Sequence, residues 1–139
     1  MEICLDSNEY LFTFGIERHA ECVELLTYLS GTPAKWKLRV PRLVVDEVGR
    51  NLPTPLLKEC HRFWRDTGCV VDEEDITPIG LINAYRKRGL KSGDAVIAAY
   101  CEHVNAKCLV SENRDFLALA KPLPFRVMKA SAFLKVFGR

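Results

Sequence analysis

Ile3-Cys4-Leu5 is an apolar run that starts almost at the first residue and breaks off at Asp6-Ser7-Asn8. Such a run, followed by a helical pattern, reads as a parallel strand buried on both faces. That reading constrains everything after it, because parallel neighbours are joined only by crossovers and helices must alternate with the strands. In open sheets of this kind ligands bind just beyond the carboxyl ends of the strands, where Asp6 falls. Asp, Ser and Asn also suit a helix N-cap, so this stretch alone leaves Asp6 as either a cap or a site residue.

The rest of the chain keeps the alternation. Glu9 to Phe14 is a short helix stopped by Gly15, and Glu17 to Leu29 an amphipathic one with Cys22, Leu25, Leu26 and Leu29 on one stripe. Leu38 to Val40 is a second strand, and Pro41 introduces a helix from Arg42 to Leu52 that Pro53 and Pro55 terminate. A helix from Leu56 to Asp66 leads to a third strand, Cys69 to Val71, and then to the acidic run Asp72-Glu73-Glu74-Asp75. Thr77 caps a helix with Pro78 in its first position, running to Arg88 before Gly89. Ser92-Gly93-Asp94 opens a nearly all-apolar helix to Val104, which should therefore be central. Lys107 to Val110 is a fourth strand, Ser111 to Asp115 a loop, Phe116 to Ala120 a short helix, Phe125 to Met128 an edge strand and Ala130 to Phe137 the last helix. The expectation is one domain spanning residues 1–139, with a mainly parallel sheet of four to five strands.

Composition narrows the function classes. Twenty Lys and Arg against 18 Asp and Glu leave a net charge of +2, so no global field draws nucleic acid or a membrane, and a polyanion would need a local basic surface. No apolar run is long enough to span a bilayer, and the N-terminus does not have the pattern of a secretory signal, so the expected compartment is the cytoplasm. The six cysteines are then expected as free thiols behaving as small hydrophobes. Three pairs, His19 with Cys22, Cys60 with His61 and Cys101 with His103, invite a zinc reading that no CxxC or HxxxH spacing supports.

Carboxylates recur at strand ends and helix starts. With Leu43 at zero and 100° per residue, the apolar positions 43, 44, 45, 48 and 52 centre near ~120°, Glu47 falls near ~40° and Asp46 near ~300°. Glu47 thus lies on the rim of the buried stripe and Asp46 faces water. Asp94 sits in the first turn of the most apolar helix, where the helix dipole favours an anion. Asp115 follows the fourth strand at the sheet edge expected for Asp6, with Glu112 as the competing acid and Ser111 and Asn113 able to orient a carboxylate. Four converging acids would repel one another unless a cation neutralised them. All-oxygen donors select Mg²⁺ or Mn²⁺, and a pair of such ions can clamp both oxygens of a phosphoryl displacement.

In this order, Asp6 in "LDSN", Glu47 in "PRLVVDEVGRNL", Asp94 in "KSGDAVIAAY" and Asp115 in "LVSENRDF" resemble the successive signatures of PIN-domain ribonucleases. The resemblance is nearest to the VapC-like toxins of type II toxin–antitoxin pairs, and "FRVMKASAFL" resembles their final strand and helix. It covers nearly the whole chain. Ser111 stands where the family usually has Thr. The resemblance implies a three-layer α/β/α PIN-like fold, an acidic pocket at the carboxyl ends of the strands, and Mg²⁺- or Mn²⁺-dependent hydrolysis of RNA. It implies that Asp6, Glu47 and Asp94 hold metal, that Asp115 completes the site, and that Ser7, Asn8, Ser111 and Asn113 orient the ligands. A cognate antitoxin and a homodimer are implied as partners.

Arg88 and Lys91, with Arg86 and Lys87 beside them, and Arg114 are candidates to carry an RNA backbone past the acids, although a basic helix end also serves simply as a cap. Asp72-Glu73-Glu74-Asp75 reads as a hydrated loop, and Trp36, Phe63 and Trp64 as core rather than base-stacking residues. The competing functions are a non-catalytic RNA- or protein-binding module of the same fold, a phosphotransfer domain, and an interaction protein. A phosphatase would want a second Asp where Asn8 stands, whereas an interaction protein would use Leu25-Leu26 and Leu56-Leu57 as its apolar faces.

Overall fold

In the computed structural model, which describes residues 1–119 and 122–138, the first strand is the middle of the sheet. The strands are β1 (Glu2–Leu5), β2 (Lys37–Val40), β3 (Val70–Val71), β4 (Cys108–Val110) and β5 (Arg126–Met128). Their order is β3-β2-β1-β4-β5, and every neighbouring pair is parallel. Ile3, Cys4 and Leu5 are buried, as are Cys108, Leu109 and Val110 beside them, which accounts for two strands without polar alternation.

Eight helices lie among the described residues: α1 (Ser7–Phe14), α2 (Ala20–Ser30), α3 (Arg42–Asn51), α4 (Thr54–Asp66), α5 (Ile79–Lys87), α6 (Ser92–His103), α7 (Arg114–Leu117) and α8 (Ala130–Phe137). From β1 the chain steps outward through β2 to β3, then crosses back to β4 and β5 on the other side. Right-handed crossovers in opposite directions put their helices on opposite faces, giving three layers. α1 packs on α2, α3 and α4, whereas α5 packs on α6, and α8 returns to lie against α2. α6 buries Ala95, Ile97, Ala98, Ala99, Tyr100 and Cys101, the central position its composition predicts.

Several boundaries differ from the expectation for physical reasons. α1 begins at Ser7 rather than Glu9, because Asp6 caps it through Oδ1, which accepts from the Ser7 N–H at 2.8 Å. α2 begins at Ala20 rather than Glu17. α4 starts at Thr54, with Pro55 in its first turn, where proline has no hydrogen bond to lose. Pro78, not Thr77, is the cap of α5. Gly68 and Gly89 follow the ends of α4 and α5 with φ of 64° and 102°, a backbone region that suits glycine. The helix expected over Phe116 to Ala120 is displaced to Arg114–Leu117, because the Asn113 side chain caps it by accepting from the Asp115 N–H at 2.9 Å; Ala120 lies outside the described residues.

Three other expectations are corrected. Leu25 and Leu26 are buried within the chain's own core, so they cannot form a self-association face. Asp72 is not simply hydrated: it accepts from Arg39 Nη2 at 3.2 Å and from the Tyr100 hydroxyl. Arg42, beside that run, pairs with Asp46 one turn along its own helix and reaches the Glu73 carbonyl. Trp36 and Trp64 are core residues as expected, Trp36 packing edge-on to Phe133 with ring centroids 5.0 Å apart. No helix among the described residues is long and apolar enough to cross a membrane.

Candidate active site

The strand order reverses between β1 and β4, and the carboxyl ends of these two strands mark the crevice position where doubly wound sheets bind ligands. Asp6 follows β1 and Ser111 follows β4, and the Asp6 N–H bonds the Val110 carbonyl at 2.9 Å, continuing the sheet ladder into the site. Asp6 is buried, with one oxygen on the Ser7 N–H and the other accepting from Ser111 Oγ at 2.8 Å. Its carboxyl is held above the ordinary value, chiefly by burial and also by Asp94, against the opposing hydrogen bonds from Ser111 and Ser7.

Glu47 comes to the same place from α3. Its Oε1 is buried without a hydrogen-bond partner, while Asp46 pairs with Arg42 at the surface, so the helical periodicity distinguishes the two acids correctly. Burial raises the Glu47 pKa, Asp6 and Asp94 raise it further, and the Ser7 side chain and Arg50 oppose them. Asp94, in the first turn of α6, is also raised, first by burial and then by Asp115, with Asn113 and Lys91 opposing. Asn113 ties the two halves together: its Nδ2 donates to Asp94 Oδ2 at 3.3 Å and its backbone N–H to Ser111 Oγ at 2.9 Å.

Asp94 thus acts on Asp6 and Glu47, Asp6 on Glu47, and Asp115 on Asp94, although the four arrive from separate segments and, among the described residues, no three of them bring ligand atoms within 4.8 Å of one another. Asp115 is the outermost, exposed in the first turn of α7 rather than in a loop. Ser7 lies against Asp6 and Glu47, and Asn8 is half-buried in the first turn of α1. Among the basic candidates, Lys91 caps α6 and acts on Asp94. Arg88 turns elsewhere, over the Tyr85 ring and towards the Pro122 carbonyl at 3.3 Å, and Arg114 is exposed at the start of α7. Glu112 leaves the cluster and accepts from the Ala130 N–H at 3.1 Å.

Sequence reasoning missed Glu9. It is wholly buried, its oxygens meet no donor but the Cys22 thiol, and burial together with the neighbouring Glu112 pushes its carboxyl up to about 9 against that thiol. An acid in the first turn of a helix has an ordinary explanation in the helix dipole. The available signal was its place between a strand buried on both faces and the apolar segment Tyr10-Leu11-Phe12.

The donor chemistry fits a hard divalent cation. The acids supply only oxygen, each of the three inner ones is short of neutralising charge, and one Glu47 oxygen has no partner. No protein-family model matches the sequence, and neither does any curated protein. Solved structures do match. The crystal structure of VapBC2 from Rickettsia felis bound to a DNA fragment from their promoter is 16% identical, with a TM-score of 0.63, covering 91% of this chain and 97% of that one. FitAcB from Neisseria gonorrhoeae is 14% identical with a TM-score of 0.62, covering 93% of this chain and 98% of that one. Similarity over nearly the full length of both shows that this chain has the fold of PIN-domain proteins.

Proposed function

We propose that this protein is a metal-dependent endoribonuclease, a VapC-like toxin component of a toxin–antitoxin pair. The observation that supports the proposal is the electrostatic coupling of Asp6, Glu47 and Asp94 near the switch point of the sheet, each carboxyl raised by burial, Asp6 also by Asp94, Glu47 by Asp6 and Asp94, and Asp94 by Asp115. A pocket built at this electrostatic cost is suited to Mg²⁺ or Mn²⁺, which would supply Lewis-acid stabilisation of charge developing on a phosphodiester. Asp6, Glu47 and Asp94 would hold the ion, with Asp115 at its outer edge. Ser111 and Asn113 fix the orientation of Asp6 and Asp94, and Ser7 bridges Asp6 and Glu47. Lys91, exposed at the lip, offers a charge for the RNA backbone.

Purified protein incubated with a mixed RNA panel should cut only when Mn²⁺ or Mg²⁺ is present, and Asp94→Asn should abolish the cutting. Equal cutting by both proteins would refute the assignment, and cation-independent binding without cleavage would favour the non-catalytic module. The antitoxin is proposed on the fold, since both similar structures are complexes by name. A homodimer follows from the same resemblance, and solution mass measurement tests it.

A further inference from the structure

Behind the acidic crevice lies a second group of ligand atoms that the proposed chemistry does not use. Glu9 from α1, Cys22 from α2 and Glu112 from the segment between β4 and α7 place one ligand atom each within 4.8 Å of one another. Among the described residues this is the trio that closes to such a spacing. Glu9 and Cys22 are wholly buried, and Glu112 is half-buried, leaving the trio one side towards solvent.

Two further observations separate this group from an ordinary acidic cluster. Both Glu9 oxygens are buried with no hydrogen-bond donor from outside the trio, the Cys22 thiol within it being their one donor neighbour among the described residues. Glu112 is fixed from behind, its Oε2 accepting from the Ala130 N–H at the start of α8. Outer contacts of that kind orient carboxylate ligands at metal sites. Two carboxylates and a thiol so close cannot all carry their charge without a cation between them.

We infer that Glu9, Cys22 and Glu112 form a second cation site, separate from the crevice and selective for Zn²⁺ over Mg²⁺. A thiolate sulfur selects a softer ion than an all-oxygen set does, and three protein ligands with one open position is a known arrangement for Zn²⁺. Ion binding displaces the protons of Cys22 and Glu9 to solvent, so affinity rises with pH. The bound ion clamps α1 and α2 to the segment that carries Ser111 and Asn113, the residues that orient Asp6 and Asp94. The inference rests on this trio alone and stands whether or not the crevice cuts RNA.

The test is zinc retention by the full chain, followed by elemental analysis after dialysis, with Co²⁺ as a spectroscopic probe. The wild-type protein and Asp94→Asn should each keep one zinc per chain and unfold at a higher temperature with zinc present. Glu112→Gln, a change at a half-buried position, should keep the wild-type circular dichroism and bind zinc at least about 100-fold more weakly, since loss of an outer partner alone costs about 10- to 100-fold. Co²⁺ should give thiolate-to-metal charge-transfer absorption in the wild-type protein and none in Cys22→Ser. Absence of zinc retention by the folded wild type, equal retention by Glu112→Gln, or Co²⁺ bound without that absorption would each overturn the inference. Loss of zinc in Asp94→Asn would assign the ion to the crevice instead and overturn it as well.

Discussion

Ser111→Ala is the most exacting test of how the crevice is held together. The hydroxyl makes two contacts, donating to Asp6 Oδ2 at 2.8 Å and accepting from the Asn113 N–H at 2.9 Å, and the residue is wholly buried. A hydrogen bond to an ionised acceptor contributes about 1.5–3 kcal/mol, and the backbone one about 0.5–1.5 kcal/mol. Asn113 is half-buried, so water takes over part of its lost bond. The net loss should be about 2–3 kcal/mol. With a urea slope of about 1–3 kcal/mol per molar, the unfolding midpoint falls by about 0.7–3 M.

The same change acts on function through Asp6. The Ser111 hydrogen bond opposes the burial that raises the Asp6 carboxyl, so deleting it raises that carboxyl further. The acid limb of the cation-dependent activity then moves to higher pH, and Mn²⁺ affinity falls about 10- to 100-fold, as for other outer partners of metal ligands. Ser111→Thr keeps the hydroxyl and should restore both readouts. If Ser111→Ala unfolds at the wild-type urea midpoint and keeps the wild-type acid limb, the hydroxyl does not orient Asp6 and this account of the crevice fails.

Other expectations follow from the same contacts. Asp6, Glu9, Glu47 and Asp94 all have raised carboxyls, so the ion-free fold favours their protonated forms. Their contribution to stability is fully present below the ordinary carboxylate range and is lost as pH rises through the raised values, ending near 9 for Glu9. Urea midpoints in ion-free buffer should therefore fall as pH rises, and Glu9→Gln should flatten the alkaline end; an unchanged slope would refute the role of Glu9. Asp72→Ala removes the acceptor for Arg39 and Tyr100 and should cost about 1–3 kcal/mol, against about 0.5 kcal/mol or less for exposed Asp75→Ala. Phe133→Ala empties a wholly buried position between Trp36, Tyr28 and Phe137 and should cost about 3–5 kcal/mol by denaturant titration.

What the sequence reveals and what it hides divide along a physical line. β1 was legible because burial on both faces leaves no polar alternation, and Glu47 because helical periodicity distinguishes it from Asp46. Both signals are local. Asp6 reads from the sequence as either a cap or a site residue; in the structure one oxygen caps α1 while the other, free of that task, accepts from Ser111. The displaced start of α7 is a local error, in which the Asn113 side chain competes with the apolar pattern for the first turn.

Glu9 failed for a different reason. Its helix position is unremarkable, and what sets it apart is its pairing with Cys22 and Glu112, which lie on elements joined only by the fold. Zinc ligands are legible from spacing only where Cys and His lie close in sequence, and the trio contains no His and draws its three members from three elements. Asp6, Asp94 and Asp115 are equally scattered and yet legible, because each stands at a strand end or helix start that an open parallel sheet gathers at one edge, whereas Glu47, in the middle of α3, is legible only through helical periodicity. Glu9 is one helical turn further from that edge, where topology no longer predicts what a carboxylate will meet. Conversely, Glu112 shares a short segment with Ser111 and Asn113 but turns back to Ala130 and Glu9. Substitution of Glu112 should therefore disturb the crevice only through Ser111 and Asn113, so Glu112→Gln should leave the acid limb set by Asp6 closer to wild type than Ser111→Ala does.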